Sequence, residues 1–205
     1  MNKIIKKAKN NVINQKKKYL FLITIMTIGI ISGIIFIFFI SKEDKSLVKN
    51  ELDLFFDTIK GNKVNYLSSF INSIGSSLLY LIIIWILGIS IIGIPVIIFL
   101  LFLKGFIFGF SISSMTVNYG LKGLILGFIT QFPHNIILLI TFLLLGFYAI
   151  NFSIHLFQVL FFKKDLNLSL YFKRYNQISL MCFGSIIICS IIETFLIPFL
   201  VKFFL

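Results

Sequence analysis

The chain has 205 residues, of which 59% are hydrophobic and only 13% charged, and its mean hydropathy is +1.04. A soluble domain carries about 25% charged residues, and water would aggregate a surface this apolar. The net charge of +12 does not indicate nucleic-acid binding, because the charges form short blocks beside long apolar runs. Composition therefore predicts an all-α polytopic membrane protein, and the runs predict about five transmembrane helices.

The first predicted elements are a basic N-terminus and a span. Residues 1–18 carry seven lysines and no acidic residue, which is typical of a cytoplasmic segment. Such a segment is also suited to rest on the anionic inner leaflet. The apolar run 19–40 is longer than the core of a signal peptide, so we interpret it as an uncleaved first span that leaves the cytoplasm.

Residues 41–72 form the one sizeable polar stretch, with five lysines balancing five acidic residues. Apolar residues recur there at helical spacing, at Val48, Leu52, Phe55, Phe56 and Ile59. We predict an amphipathic helix that ends near Gly61 and lies at the outer membrane surface. Leu52, Phe55 and Phe56 are its candidate partner or packing residues.

The apolar run 74–103 is too long for one span, and Gly93-Ile94-Pro95 is the expected break because proline disrupts a helix interior. We predict spans at 73–92 and 95–118. The second of these carries Gly105 and Gly109, whose spacing lets helices approach closely. We expect this face to be a packing or partner surface, and Gly29 and Gly33 repeat the pattern in the first span.

Residues 121–162 are ambiguous between one span and two. Two spans would place the loop 163–175 outside, although it holds four basic residues and one acidic residue. We therefore favour one span at 134–161, preceded by a short helix at 121–132 that is re-entrant or interfacial, with Pro133 dividing them. A last span at 177–200 would place the C-terminus outside.

Several polar residues lie inside the predicted spans, where ionisable groups are expensive and mark candidate sites. The intramembrane candidates are Lys104, His134, Asn135 and Glu193, and a second group, Asn151, His155 and Gln158, shares one helical face. They either join helices through hydrogen bonds and charge pairs such as Lys104–Glu193 or His134–Glu193, or they form a relay or substrate site.

The sequence offers no catalytic set. His134 and His155 are 21 residues apart on one predicted helix, or about 30 Å, so they cannot share a zinc ion. No H-E-x-x-H motif is present. We therefore predict no catalytic residues, no metal, no cofactor and no enzyme activity.

Short motifs in a specific order connect these features. Asn72 opens the second span, and L-G-x-x-x-x-G-x-P and K-G-x-x-x-G-F follow up to Phe110. Pro133 then stands within Q-F-P-H-N, and I-E-x-x-x-x-P closes the chain at Pro198. This pattern resembles the stage II sporulation protein M family over about residues 15–202. Broader relatives of this membrane domain often have Gly at position 135 followed by Glu, and their absence here favours the sporulation branch.

The resemblance implies a role in forespore engulfment, at the sporulation septum and the engulfing mother-cell membrane. The family member is the membrane component of a complex with stage II sporulation proteins D and P, which degrade peptidoglycan. It would anchor and localise these hydrolases without catalysing a reaction; whether it forms a homo-oligomer stays open. The outer segment is also shorter than the roughly 40 residues a self-sufficient domain needs. The alternative is a permease subunit whose path is lined by Lys104, His134 and Glu193.

Overall fold

The computed structural model describes residues 2–162 and 167–204, with side chains described from residue 15 onward. The lysines before residue 15 and the charged residues 163–165 of the predicted loop therefore lie outside the described side chains. In the described part the chain is helical and has no strand. The elements are α1 (Asn2–Phe39), α2 (Lys42–Lys60), α3 (Tyr66–Gly88), α4 (Gly93–Phe162), α5 (Leu168–Ile191), a π-helical segment (Ile192–Leu196) and α6 (Ile197–Phe204).

Four helical stretches are long and apolar enough to cross a membrane, and the predicted all-α membrane class is confirmed. They are Gln15–Phe39, Tyr66–Gly88, Gly93–Phe162 and Leu168–Phe204. This number differs from the five spans that we predicted because the third stretch, α4, holds 70 residues and reverses its direction within them.

The reversal of α4 lies at Gly120, where φ is 62° and ψ is −140°. A side chain rarely tolerates this backbone conformation, whereas glycine adopts it readily. The Thr130 hydroxyl lies 3.4 Å from the Met115 sulfur, and a Cβ on Gly127 would lie 3.5 Å from the Ile112 Cα. Residues 93–119, the first arm, and residues 121–162, the second arm, therefore run antiparallel.

The second arm continues through Pro133, where we had expected a boundary between a short helix and a span. A proline inside a helix removes one backbone hydrogen bond and crowds the preceding turn. Its neighbours Thr130 and His134 are both buried, Thr130 beside Met115 of the first arm and His134 beside Glu193, so tertiary packing holds the helix together across this defect. The structure thus has no separate helix at 121–132.

Capping side chains explain where other helices begin. Asn65 accepts a hydrogen bond from the Ser68 N–H at 3.2 Å, so α3 begins at Tyr66, before the predicted position 73. Asn167 caps α5 in the same way at 3.3 Å, before the predicted position 177. Ser41 caps α2 through the Asp44 N–H at 3.0 Å, so the predicted amphipathic helix begins at Lys42.

Two pairs of glycines bring α1 and the first arm into backbone contact. A Cβ on Gly105 or Gly109 would collide with the carbonyl oxygen of Met26 or Ile30 in α1. A Cβ on either α1 glycine would collide with a carbonyl oxygen of the first arm; these glycines are Gly29 and Gly33. The two helices are parallel, and small residues permit this close approach. The Gly105/Gly109 face therefore packs within the chain and is not open to a partner.

The helical bundle has two distinct ends. At the α2 end, Phe56 and Ile59 of α2 are buried against the Gly120 turn and α6. At the opposite, basic end lie residues 15–18, the last turns of the second arm and the beginning of α5. Each end contains a polar cavity, and these cavities hold the polar residues that the sequence places inside the spans.

Candidate functional site

A cavity of about 400 Å³ lies beneath α2, between α3, both arms of α4 and the π-helical segment. Its polar lining comes from all of these elements: Thr58, Asn65, Ser69, Ser76, Ser77, Lys104, Thr130, Gln131, His134, Asn135, Glu193 and Thr194. We call it the α2-end cavity. A polar space of this size between apolar helices is the default position for a binding site.

The α2-end cavity brings together the three ionisable residues that the sequence singled out. Lys104 comes from the first arm, His134 from the second arm and Glu193 from the π-helical segment. The His134 Nε2 lies 3.9 Å from the Glu193 Oε2, which is the charge pair that we had considered. The Lys104 ammonium lies 5.3 Å from the centre of the Phe142 ring and 5.6 Å from that of Tyr80. The aromatic faces stabilise this cation, and Glu193 lines the same cavity, although Lys104 and Glu193 form no ion pair among the described residues.

Serines of α3 and α5, which the sequence analysis missed, hold the Glu193 carboxylate. The Ser73 hydroxyl donates a hydrogen bond of 2.6 Å to Glu193 Oε2, and the hydroxyls of Ser73 and Ser190 are 3.1 Å apart. A signal was present in the sequence, because Ser73 and Ser77 are spaced by one turn in the serine-rich first half of α3. Both are buried in the structure.

The π-helical segment places Glu193 at the cavity wall. The Ile197 N–H bonds to the Ile192 carbonyl, five residues back, and Pro198 follows directly. Because proline has no N–H, the carbonyl four residues before it receives no helical hydrogen bond, and the wider turn accommodates this gap. Single π-helical turns are frequent at functional sites. The closing I-E-x-x-x-x-P motif thus corresponds to the π-helical turn and the proline that follows it.

Polar atoms with no partner also face this region. Among the described residues, the His134 Nδ1 and the Thr194 Oγ1 are buried and form no hydrogen bond. Asn135 donates to the Gln131 Oε1 at 2.7 Å, which leaves its own carbonyl oxygen available. A buried polar atom without a partner is costly, so these groups favour a polar occupant of the cavity.

α2 is the cover of the cavity, and polar contacts add to its apolar packing. Phe55, Thr58 and Ile59 line the cavity from this side. The Tyr119 hydroxyl, next to the Gly120 turn, donates to the Asp53 carboxylate at 2.5 Å. Beyond the end of α2, Lys202 of α6 donates to Asn62. The three candidate residues of α2 differ in their exposure to solvent. Phe56 is buried, Leu52 is half-buried and Phe55 is exposed.

The remaining polar candidates, Asn151, His155 and Gln158, lie away from this site. They line a second cavity of about 530 Å³ at the basic end, which we call the basic cavity. Within residues 2–162 and 167–204, no group of three His, Cys, Asp or Glu side chains could hold a metal ion.

Long apolar helices, a half-buried His134–Glu193 pair and an amphipathic helix folded over one end define a polytopic integral membrane protein. The family model described as Stage II sporulation protein M matches residues 20–198. The chain therefore belongs to the stage II sporulation protein M family, and it is a membrane protein of sporulation. No curated protein and no solved structure matches the chain.

Proposed function

We propose that this protein is a non-catalytic membrane scaffold that anchors peptidoglycan hydrolases during forespore engulfment, with stage II sporulation proteins D and P as its partners. The observation that carries the proposal is the placement of α2. This helix is fixed to the end of the bundle, yet part of its apolar surface stays exposed. Family membership supports the sporulation setting.

The exposed part of α2 is a ridge that we define as Leu47 and Leu54, two turns apart on the same face. Each of these side chains is 62% exposed. Lysines and acidic residues surround the ridge, as polar residues surround the apolar centre of a protein interface. Because α2 is already folded and held in place, a partner would bind it without the entropy cost of ordering it.

The proposed protein is non-catalytic because its described part outside the membrane-length helices is small. The only described stretch between membrane-length helices with its own structure is α2 and its flanking turns, which is too short for an independent domain. Wall hydrolysis would then belong to the partners. The excess of positive charge at the basic end favours a cytoplasmic location for that end, and this would place α2 outside, where peptidoglycan lies.

The test substitutes both residues of the ridge in sporulating cells of an endospore-former. The variant Leu47→Ser/Leu54→Ser removes apolar contact area without touching the buried face of α2. We expect co-purification of the hydrolases to fall about tenfold and the hydrolases to leave the septum, at unchanged membrane levels of the protein. Leu121→Ser is the matched control, because Leu121 is 82% exposed at the same end. Full recruitment by the ridge variant would refute the proposed surface.

A second candidate function, a permease subunit, is favoured by the charged residues of the α2-end cavity. Lys104, His134 and Glu193 would line a polar path for protons. In vesicles containing the purified protein and a pH-sensitive dye, Glu193→Gln would abolish proton flux, whereas Glu51→Gln in α2 would not. Absence of flux through the unmodified protein excludes this candidate and leaves the scaffold.

A further inference from the structure

The basic cavity combines positive charge with hydrogen-bonding side chains and belongs to no activity considered above. α1 contributes Lys18, the second arm contributes Asn151, His155 and Gln158, and α5 contributes Tyr171 and Arg174. Its described lining includes two basic side chains, Lys18 and Arg174, and no carboxylate. Such a lining is suited to an anion.

Lys18 is the central cation of this cavity. It is half-buried, and its ammonium donates one hydrogen bond, of 2.8 Å, to the Asn151 Oδ1. An ammonium group has three donors, so two remain. In the part of the chain that the structure describes, Lys18 and Arg174 form no ion pair. A partly desolvated cation without a counter-charge is unfavourable, and a bound anion would relieve this cost.

The position of the cavity along the bundle indicates the source of the anion. Lys18 lines the cavity and directly precedes the apolar run 19–40 of α1. The cavity therefore lies where the apolar part of the helices begins, which is the depth of lipid headgroups. Lysines at this boundary attract anionic lipids.

An apolar groove of about 370 Å³ adjoins the basic cavity. Lys18 and Phe147 line both spaces, and the groove continues between α1 and α4 along Leu22, Ile98 and Ile150. A polar cavity that opens into an apolar groove matches a molecule with a charged head and a hydrocarbon chain. Free phosphate would use only the first of these two spaces.

We propose that the basic cavity binds the phosphate headgroup of an anionic phospholipid, with part of one acyl chain in the adjoining groove. The Arg174 guanidinium presents paired N–H donors to phosphate oxygens, and Lys18 adds a second charged donor. Asn151 and Gln158 supply amide groups for the hydroxyls of a glycerol headgroup. This site is independent of the proposed scaffold surface, which lies at the opposite end of the bundle.

The test uses the full chain purified in a neutral detergent and native mass spectrometry. Dioleoyl phosphatidylglycerol is titrated against dioleoyl phosphatidylcholine and against glycerol 3-phosphate, which has the phosphate but no acyl chain. We expect phosphatidylglycerol to bind at least about tenfold more tightly than either. Equal binding of phosphatidylcholine would overturn the charge argument, and equal binding of glycerol 3-phosphate would overturn the lipid source.

Variants locate the site. Lys18→Gln and Arg174→Gln are each expected to weaken phosphatidylglycerol binding about tenfold. Lys173→Gln is the matched control, because Lys173 is an exposed neighbour of Arg174 that lines none of these cavities. Arg174→Lys keeps the charge, and its partial retention of binding would show that loss in Arg174→Gln does not come from misfolding. An equal loss in Lys173→Gln would mean diffuse surface attraction and would refute the site.

Discussion

The two ends of the bundle treat the charged side chains of their cavities in opposite ways. In the α2-end cavity, Lys104, His134 and Glu193 come from three elements far apart in sequence, and a carboxylate shares the space with the two basic side chains. In the basic cavity, Lys18 and Arg174 have no carboxylate beside them among the described lining residues. The first arrangement contains a carboxylate of its own and is covered by α2, whereas the second calls for an anion from the surroundings. Charge balance, rather than polarity, thus distinguishes the two cavities.

The largest expected effect comes from disrupting the glycine contact between α1 and the first arm, because each of these two helices supplies a lysine to one of the cavities. α1 supplies Lys18 to one cavity, and the first arm supplies Lys104 to the other. Gly109→Leu would push a side chain into the α1 backbone at Ile30, and we expect a loss of about 3 kcal/mol or more in the free energy of unfolding. Thermal unfolding in detergent would show this loss. Gly184→Leu, at an open position on α5, should change stability by less than about 0.5 kcal/mol; similar losses in both variants would contradict the proposed packing.

The next largest effect is expected from removing the carboxylate of the α2-end cavity. Its described lining would then have no carboxylate, like that of the basic cavity. Glu193→Gln leaves Lys104 without its balancing carboxylate and removes the charged acceptor of the Ser73 hydroxyl, so we expect a loss of about 1–3 kcal/mol. Adding Lys104→Met should recover part of this loss, which a double-mutant cycle would quantify. Additive losses in the double variant would show that the two residues do not interact.

A smaller effect concerns only α2, the helix that covers the α2-end cavity. Tyr119→Phe removes the hydrogen bond to Asp53 and should weaken the attachment of α2 by about 1 kcal/mol. Hydrogen exchange should quicken in α2 and stay unchanged at the basic end. Tyr66→Phe, which changes an exposed tyrosine at the same end, provides the control. Unchanged exchange in α2 after Tyr119→Phe would mean that apolar packing alone holds the cover.

The smallest effect is expected at the basic end. Lys18→Met loses one hydrogen bond but also removes a half-buried cation that has no ion pair among the described residues, and the two changes offset each other. We expect the free energy of unfolding, measured by thermal unfolding in neutral detergent, to change by less than about 0.5 kcal/mol. A loss as large as that of Glu193→Gln would show that Lys18 is balanced within the chain and would erase the contrast between the two ends.

The sequence predicted features that depend on local chemistry. Apolar runs gave the membrane class, helical spacing gave α2, and the rarity of ionisable residues in spans pointed to Lys104, His134 and Glu193. The prediction was wrong where tertiary packing overrides a local preference. Pro133 is an unfavourable helix residue, but its buried neighbours keep the second arm helical through it. The chain turns only at Gly120, next to the predicted end of the span 95–118.

Other features depend on which helices meet, which spacing alone does not determine. Gly105 and Gly109 indicated a close approach, yet only the fold identifies α1 as the neighbour. The contact between Ser73 and Glu193 joins residues 120 positions apart, so no local pattern could have predicted it. The basic cavity likewise needs α1, the second arm and α5 in place before its residues share one space.

The interlocking glycines of α1 and α4 have a consequence for biosynthesis. The ribosome delivers α1 first, and then α2 and α3, before the first arm exists. α1 therefore enters the bilayer with its glycine face turned to lipid, and it must remain a stable lone helix until the first arm is inserted. Packing of α1 against the first arm accordingly begins only after Gly105 and Gly109 have left the ribosome.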